Sequence, residues 1–336
     1  MTLFLNEKDV LSLLTVEEAI DALEGPIREQ GLGQASNRPR QIVRTPNASV
    51  SVLQAAVPSL GSLGFKTYSV SAEGARFWLM LFNETGVLQS LMEAENVGML
   101  RTGAATGIAT KYLSRKDSST VGLLGTGFQA ASQLEALVAV RPIKHVKAWS
   151  RTRANVLAFC ERMTRQLGIP VEPADDAREA VRDVDIVTTI TSAKDPVMQG
   201  DWLSEGTHVN LVGAMKPQFR EVDTRTLERS DMLIVDDWHQ AHEEAGEFIL
   251  AHEEGKLDWD RVQELSKIVA DGPGQRKSAA SITLFKSHGI GLWDVAAAAR
   301  IYANAVQRGV GLALPIEQPP VVLGGGRDPD RIKLAI

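Results

Sequence analysis

The chain has 336 residues, 44% of them hydrophobic and 23% charged; at about 150 residues per domain this predicts roughly two domains and excludes a disordered chain or a stapled mini-protein. Its 36 Lys and Arg against 42 Asp and Glu give a net charge of −6, which repels phosphate backbones and argues against nucleic acid as a partner. One cysteine, Cys160, can form neither an internal disulfide nor a thiolate set for zinc, so a cytoplasmic setting is expected.

Residues 1–10 carry Glu7 and Asp9 and do not read as a secretion signal; no apolar run approaches the roughly 20 residues that cross a bilayer, so no membrane partner is expected. Thr15-Val16-Glu17-Glu18 is a capping box, and Val16, Ile20, Leu23 and Ile27 follow at helical spacing, which predicts a helix beginning there. Between about Gln41 and Glu93 the texture changes to short β-prone runs at 49–53, 64–70, 76–82 and 87–92, the last two flanking the hairpin-like loop Asn83-Glu84-Thr85-Gly86. This predicts a mainly antiparallel, α+β first domain. From Glu95 to Leu113 small residues dominate, among them Gly98, Gly103, Ala104, Ala105 and Gly107, so the expected helix is buried against a close neighbour. Apolar runs at 121–124, 145–149, 186–190, 209–212 and 232–235 then alternate with helical segments, the pattern of a doubly wound parallel sheet. An Ala-rich helix at 293–308 follows, expected to return to the first domain, ahead of a Gly-rich tail at 324–329. The expected division is 1–113, joined by 290–336, for substrate binding, and 114–289 for a Rossmann-type α/β domain.

The first run of that second domain leads directly into Gly125-Thr126-Gly127-Phe128-Gln129-Ala130, a GxGxxA turn between strand and helix. Gly125 permits the tight turn, Gly127 lets backbone approach a pyrophosphate, and Ala130 allows close packing at a helix N-terminus that attracts the anion. By itself the motif is weak; its place in a βα alternation makes it a dinucleotide site. An NAD-selective site carries an acid at the end of the second strand, but the sequence there is Trp149-Ser150-Arg151-Thr152. Arg151, with Ser150 and Thr152, suits a 2′-phosphate, so NADPH is expected in preference to NADH. The nicotinamide would lie at the carboxyl ends of the strands near Thr191, Ser192, Val212, Gly213 and Ala214.

Three cations stand in apolar or small-residue contexts: Arg40 in Arg38-Pro39-Arg40-Gln41, Lys66 in Gly64-Phe65-Lys66-Thr67, and Arg101 in Leu100-Arg101-Thr102-Gly103. A pocket with two Arg and one Lys suits an acidic substrate such as an imino, amino or keto acid. These segments, with Asn210-Leu211-Val212-Gly213-Ala214, Arg220-Glu221-Val222-Asp223 and Phe285-Lys286-Ser287-His288-Gly289, resemble the ornithine cyclodeaminase and mu-crystallin family over nearly the whole chain. The resemblance implies that Arg40, Lys66 and Arg101 bind the substrate carboxylate or lie beside it, that Arg101 and Thr102 approach the cofactor, that Ser287 lies on the cofactor side, and that the protein is a homodimer built through the first domain. By the same resemblance Asp294 matches an acid near the nicotinamide; a first-turn residue favoured by the helix dipole is the competing reading. Glu244 and Glu247 match a loop between the domains.

Departures narrow the chemistry. True cyclodeaminases carry an Asp where this chain has Met215, and a Glu three residues before a Pro where this chain has Ala55 ahead of Pro58. Without those carboxylates ornithine cyclisation is disfavoured, and the ketimine-reductase branch is the closer match. A cyclic ketimine acid, such as pyrroline- or piperideine-2-carboxylate, brings its own electrophile and needs only hydride, carboxylate binding and a proton, with Lys66 and Arg101 as catalytic residues and Lys66 favoured as a carboxylate clamp. Competing readings are an amino-acid dehydrogenase forming alanine or an N-alkyl amino acid, and a non-catalytic NADPH-dependent ligand-binding protein. His239 and His242 have helical metal-ligand spacing but no third placed ligand, so no metal is expected; Cys160 reads as core filling.

Overall fold

The computed structural model describes residues 2–319; the Gly-rich tail at 324–329, and the part of 290–336 beyond residue 319, lie outside the described residues. The first half opens with strand β1 (Thr2–Leu5) and two capped helices, α1 (Glu7–Leu13) and α2 (Val16–Gly31). Both caps are reciprocal. Asn6 and Asp9 exchange side-chain to backbone bonds at the start of α1, and Thr15 and Glu18 do the same at α2, as the Thr15 box predicts. The Asn6 box is a signal that the sequence reading passed over.

Strands β2 (Ser36–Arg44), β3 (Ala48–Val57), β4 (Ser62–Ser71), β5 (Gly74–Asn83) and β6 (Leu88–Glu93) follow. The four expected β runs lie within β3 to β6 with ends extended by one to four residues, apart from Val87, which precedes β6. Asn83 Oδ1 closes the β5–β6 turn by accepting from the Thr85 and Val87 amides. β1 adds to β6 in parallel and β15 (Leu312–Leu314) pairs antiparallel with β1, so the sheet runs β15-β1-β6-β5-β4-β3-β2. The expected runs include neither β1 nor the edge strand β15, because three or four residues carry too little alternation to register, nor the opposite edge strand β2.

Helix α3 (Glu95–Leu113) is buried over nearly its whole length. A Cβ on Gly103 would lie 2.5 Å from the Ser132 carbonyl oxygen, and one on Gly107 would meet Ile20 and Ala136, so the small residues are what let α3 touch both α2 and α4 (Ala130–Val140). In sequence α3 belongs to the first half; in packing it also covers the second sheet, and one hydrophobic core runs continuously from Leu3 through Ile108 to Phe285.

The second half is wholly parallel. Its strands are β7 (Thr120–Leu124), β8 (His145–Trp149), β9 (Val171–Pro173), β10 (Ile186–Thr189), β11 (His208–Leu211), β12 (Met232–Val235), β13 (Val262–Glu264) and β14 (Thr283–Lys286), ordered β13-β12-β14-β11-β10-β7-β8-β9. Helices α5 (Arg153–Leu167), α6 (Ala177–Val181), α7 (Thr224–Arg229), α8 (Trp238–Glu244), α9 (Gly246–Glu253) and α10 (Leu265–Asp271) connect them. The α/β architecture agrees with the sequence reading, which missed β9, β13 and the central β14. The order in which successive strands are added reverses between β7 and β10, which places the ligand crevice at their carboxyl ends. Finally α11 (Gly291–Arg308) returns to the first half and packs across β3 and β4 and against α2.

Candidate active site

Two cavities meet at the β7/β10 crevice. One, of 520 Å³, is walled by Gly125, Thr126, Gly127, Ser150, Arg151, Thr152, Thr191 and Ser192. The other, of 550 Å³, lies between the two sheets and is walled by Arg40, Lys66, Arg101, Thr102, Gly127, Phe128, Gln129, Thr191, Ser192, Val212, Ser287 and His288. Gly127, Ile190, Thr191 and Ser192 border both. Of the residues expected at the cofactor, Ala214 instead lines an adjoining 900 Å³ cavity, and Ala130 is buried as the first residue of α4.

The first cavity fits a dinucleotide on its own geometry. Gly125 has φ +106°, and a Cβ there would collide with the Ile190 carbonyl oxygen; Gly127 faces open space, with no heavy atom within 4 Å of where its Cβ would be. Helix α4 begins without a side-chain cap, so its first-turn amides are offered to an anion. Thr126 Oγ1 and Ser150 Oγ lie 3.0 Å apart across the loop. Arg153 turns away to the Ala174 carbonyl oxygen at 2.8 Å and to Asp175, whereas Arg151 lines the cavity and makes no ion pair among the described residues.

A buried glutamate fastens the far side of the crevice. The Glu221 carboxylate accepts from the Thr191 amide (2.7 Å) and hydroxyl (2.7 Å), the Thr189 hydroxyl (2.8 Å) and the Gly213 amide (2.7 Å). The loops after β10 and β11 are thereby held to one anchor, and Gly213 leaves no room for a side chain between Thr191 and Glu221. Behind it, Glu247 Oε1 accepts from the Glu221 amide at 3.0 Å, and Lys286, fully buried at the end of β14, lies 3.2 Å from Glu247 Oε2 and donates to the Ala214 carbonyl at 2.5 Å. These contacts supply the physical account of Glu247 that sequence spacing lacks.

The three cations converge on the second cavity, each nearly buried. Arg40 sits in a β-bulge, where the β2–β3 register jumps between Arg38 and Gln41, which re-aims its side chain off the strand. Its Nη1 donates to both oxygens of Glu244 (3.0 and 2.9 Å) and its Nη2 to the His288 carbonyl (2.8 Å). Lys66 stands on β4 and Arg101 on α3. Both bond the same atom, Asp294 Oδ1 in the first turn of α11, at 2.7 and 2.9 Å. Asp294 is therefore a counter-ion and not merely a helix-dipole residue. Its second oxygen has no hydrogen-bond partner among the described residues.

Burial is the largest influence on Lys66 and pulls its ammonium down to about 8; Arg101 pushes in the same direction, while Asp294 opposes both. Burial likewise raises the Glu244 carboxyl, against the pull of Arg40. Beside Arg40, Asp236 bonds the His288 ring at Nδ1 (2.9 Å) and accepts from the His288 and Gly289 amides. Burial opposes ionisation of Asp236, but His288 and these amides outweigh it and leave its carboxyl below the ordinary range. Neither Asp236 nor this pairing was legible from spacing, since 51 residues separate the partners.

Met215 reaches the cavity wall, whereas Ala55 is packed in the hydrophobic core and Leu53 lines the cavity in that part of β3. His242 stacks on Trp259 with ring centroids 3.7 Å apart and lines neither of the two cavities. Cys160 is buried in the core between α5 and its sheet, and that burial raises its thiol to about 11.

Comparison with known proteins agrees with the fold. A family model described as the ornithine cyclodeaminase/mu-crystallin family matches residues 1–309. The alanine dehydrogenase of Archaeoglobus fulgidus is 34% identical over 322 residues, covering 92% of this chain and 97% of that protein. The structure of Thermococcus litoralis Δ1-pyrroline-2-carboxylate reductase in complex with NADH and L-proline superposes with a TM-score of 0.88 at 34% identity, covering 93% of this chain and all of that one. The ketimine reductase mu-crystallin of Rattus norvegicus is 31% identical over 225 residues, 67% of this chain and 68% of that protein.

Proposed function

The chain belongs to the ornithine cyclodeaminase/mu-crystallin family, and we propose that within it the protein is a reductase of cyclic imino acids that uses NADPH in preference to NADH. One observation carries the substrate class: Lys66 and Arg101 share a single carboxylate oxygen of Asp294, while Arg40 has Glu244 to itself. Two cations against one anion leave one positive charge uncompensated in a buried cavity, which a substrate carboxylate completes. Similarity to reductases and dehydrogenases acting at C–N bonds supports the reaction type.

The bound dinucleotide supplies a hydride from its nicotinamide. The chain does the rest. Gly125 and Gly127 with the open start of α4 would receive the pyrophosphate, with Phe128 and Gln129 continuing that turn, while Glu221 sets the Thr191 and Gly213 backbones on the side where Thr102, Ser192, Val212 and Ser287 would hold the nicotinamide. Lys66 and Arg101 hold the substrate carboxylate, with Arg40 closing the wall beside them, which would orient the adjacent C=N carbon for reduction.

The residues 1–113, joined by the described part of 290–336, form the substrate and dimer half of this reading, and 114–289 the dinucleotide half. The outer face of the first sheet supports two-fold association: Val50, Leu63 and Trp78 are exposed there beside the stacked Phe65 and Phe82 rings. A cytoplasmic setting rests on the lone, buried Cys160. Among the described residues no helix is long and apolar enough to cross a membrane.

The direct experiment is NADPH oxidation, followed by absorbance, on addition of pyrroline- or piperideine-2-carboxylate without ammonia. Turnover is expected. Turnover only of a keto acid with added ammonia would make the protein an amino-acid dehydrogenase, the reading favoured by its likeness to the archaeal alanine dehydrogenase. NADPH-dependent binding of the acid with no absorbance change would make it a ligand-binding protein.

The cofactor preference has its own check. Arg151→Ala removes the only uncommitted cation that lines the first cavity among the described residues apart from Lys194. With charge-assisted hydrogen bonds contributing about 1.5–3 kcal/mol, kcat/KM for NADPH should fall roughly 10- to 100-fold while that for NADH stays within about twofold. Equal loss with both cofactors would remove the 2′-phosphate from the account.

A further inference from the structure

We propose that His288, oriented by Asp236, delivers the proton to the substrate nitrogen, an inference that rests on the imino-acid reading above. His288 lines the cavity between the sheets, and its ring is fully buried. The Nδ1 edge is committed to Asp236 at 2.9 Å, and the backbone amides of His288 and Gly289 are bonded to the other oxygen of the same carboxylate. Ring and backbone are thus fixed by one anion. The opposite edge is not: Nε2 is buried and has no hydrogen-bond partner among the described residues. A buried polar nitrogen left unpaired is costly, so a bound ligand that meets it gains what the empty cavity lacks.

The chemistry of the other unpaired atoms narrows the assignment. Arg40 Nε and Ser287 Oγ are also buried without partners among the described residues, but a guanidinium does not release its proton and an unassisted hydroxyl does so poorly. Lys66 can release one, yet its Nζ is bound to the Asp294 oxygen that it shares with Arg101, where its charge serves the carboxylate. The imidazole alone combines an unengaged edge, a fixed orientation and a carboxylate behind it, the arrangement of a proton-transfer dyad. The charged groups around it are Asp236 after β12, Arg40 on β2, Glu244 on α8 and Arg101 on α3, whose guanidinium lies against Gly289.

In the protonated pair the Nε2–H bond breaks as an N–H bond forms at the imine nitrogen, giving the iminium. Hydride from the reduced nicotinamide adds to the carbon, the C=N electron pair moves to nitrogen, and a secondary amine results. The imidazole is left neutral and regains its proton from solvent.

A pair of substrates separates this role from a structural one. Pyrroline-2-carboxylate needs a proton; its N-methyl iminium counterpart carries a fixed positive charge and needs none. In the holoenzyme, His288→Gln should lower kcat for the imine by about 10²- to 10³-fold, with the deficit shrinking at low pH where the imine arrives protonated. Reduction of the N-methyl iminium should stay within about threefold of the parent, with the same NADPH affinity by fluorescence titration. Equal slowing of both substrates, or an imine rate within threefold of the parent, would overturn the proposal. If His288→Gln does not fold, His288→Asn and the solvent deuterium effect on the parent enzyme decide: an effect on the imine alone supports proton delivery, and one of equal size on both substrates overturns it. A parent enzyme that binds NADPH but reduces neither substrate would instead overturn the imino-acid reading.

Discussion

Arg101→Ala is expected to lower kcat/KM for the cyclic imino acid by about 10²- to 10³-fold, with NADPH affinity nearly unchanged. The guanidinium is buried, its Nε is bound to Asp294 Oδ1, and no hydrogen bond within the described residues engages its Nη edge, which faces the cavity side of the helix next to Gly289. Truncation removes one partner of a buried charge pair, a loss of about 2–5 kcal/mol, and leaves Lys66 to hold the carboxylate alone. Steady-state kinetics with varied substrate provide the measurement; a loss confined to the cofactor KM would move Arg101 out of the substrate site. The remaining lysine gives the parent enzyme a pH signature. Because burial holds the Lys66 ammonium at about 8, carboxylate binding is complete below that pH and weakens as the proton is lost above it, so the substrate KM should rise on the alkaline side. Asp294→Asn removes the group that raises Lys66, so this rise should begin at lower pH. An unchanged KM profile in the variant would exclude Lys66 from carboxylate binding.

Asp294→Ala should be the most destabilising substitution in the site, by about 3–5 kcal/mol, because it leaves Lys66 and Arg101 buried with no counter-ion. Denaturant midpoints of the parent and variant measure it, and a change under about 1 kcal/mol would show that the two cations are adequately solvated without the carboxylate. The sign of its pH dependence follows from Lys66. In the folded parent this lysine already binds its proton less tightly than the ordinary 10.5, and loss of Asp294 lowers it further. Between the folded and unfolded values the unfolded chain holds more protons, so stability rises with pH across that window. The window is wider in the variant, and the deficit should therefore shrink as pH is raised toward 10.

Arg40 illustrates how a residue can be found by sequence and its partner missed. Its context singled it out as a cation that needs an anion, but the anion is supplied by Glu244, 204 residues away, and by carbonyls at His288 and Gly289. The bulge that turns Arg40 into the cavity has a local cause, since Pro39 has no amide to give to the β3 ladder. Asp294 carries in the sequence a bland reading beside the chemical one, and His288 stands there only as part of a family segment. Neither reading names Lys66 or Asp236 as a partner, because an ion pair across two sheets leaves no periodicity in the chain. Glu221 was noticed only as part of a family segment; five donors converging on one buried carboxylate are visible only once the β10 and β11 loops are side by side.

What the sequence determined by itself was whatever depends on near neighbours in the chain: the Thr15 cap, the small-residue stripe that lets α3 approach α2 and α4, the βα alternation and the Gly125–Ala130 turn that receives a dinucleotide. Tertiary structure decided the charge balance. It alone fixed which strands α11 crosses, β3 and β4, and set one aspartate against the two cations Lys66 and Arg101. The reason is that backbone conformation follows from sterics and hydrogen bonds within a few residues, whereas the electrostatic state of a buried group is set by whichever charges the fold carries to within about 3 Å of it.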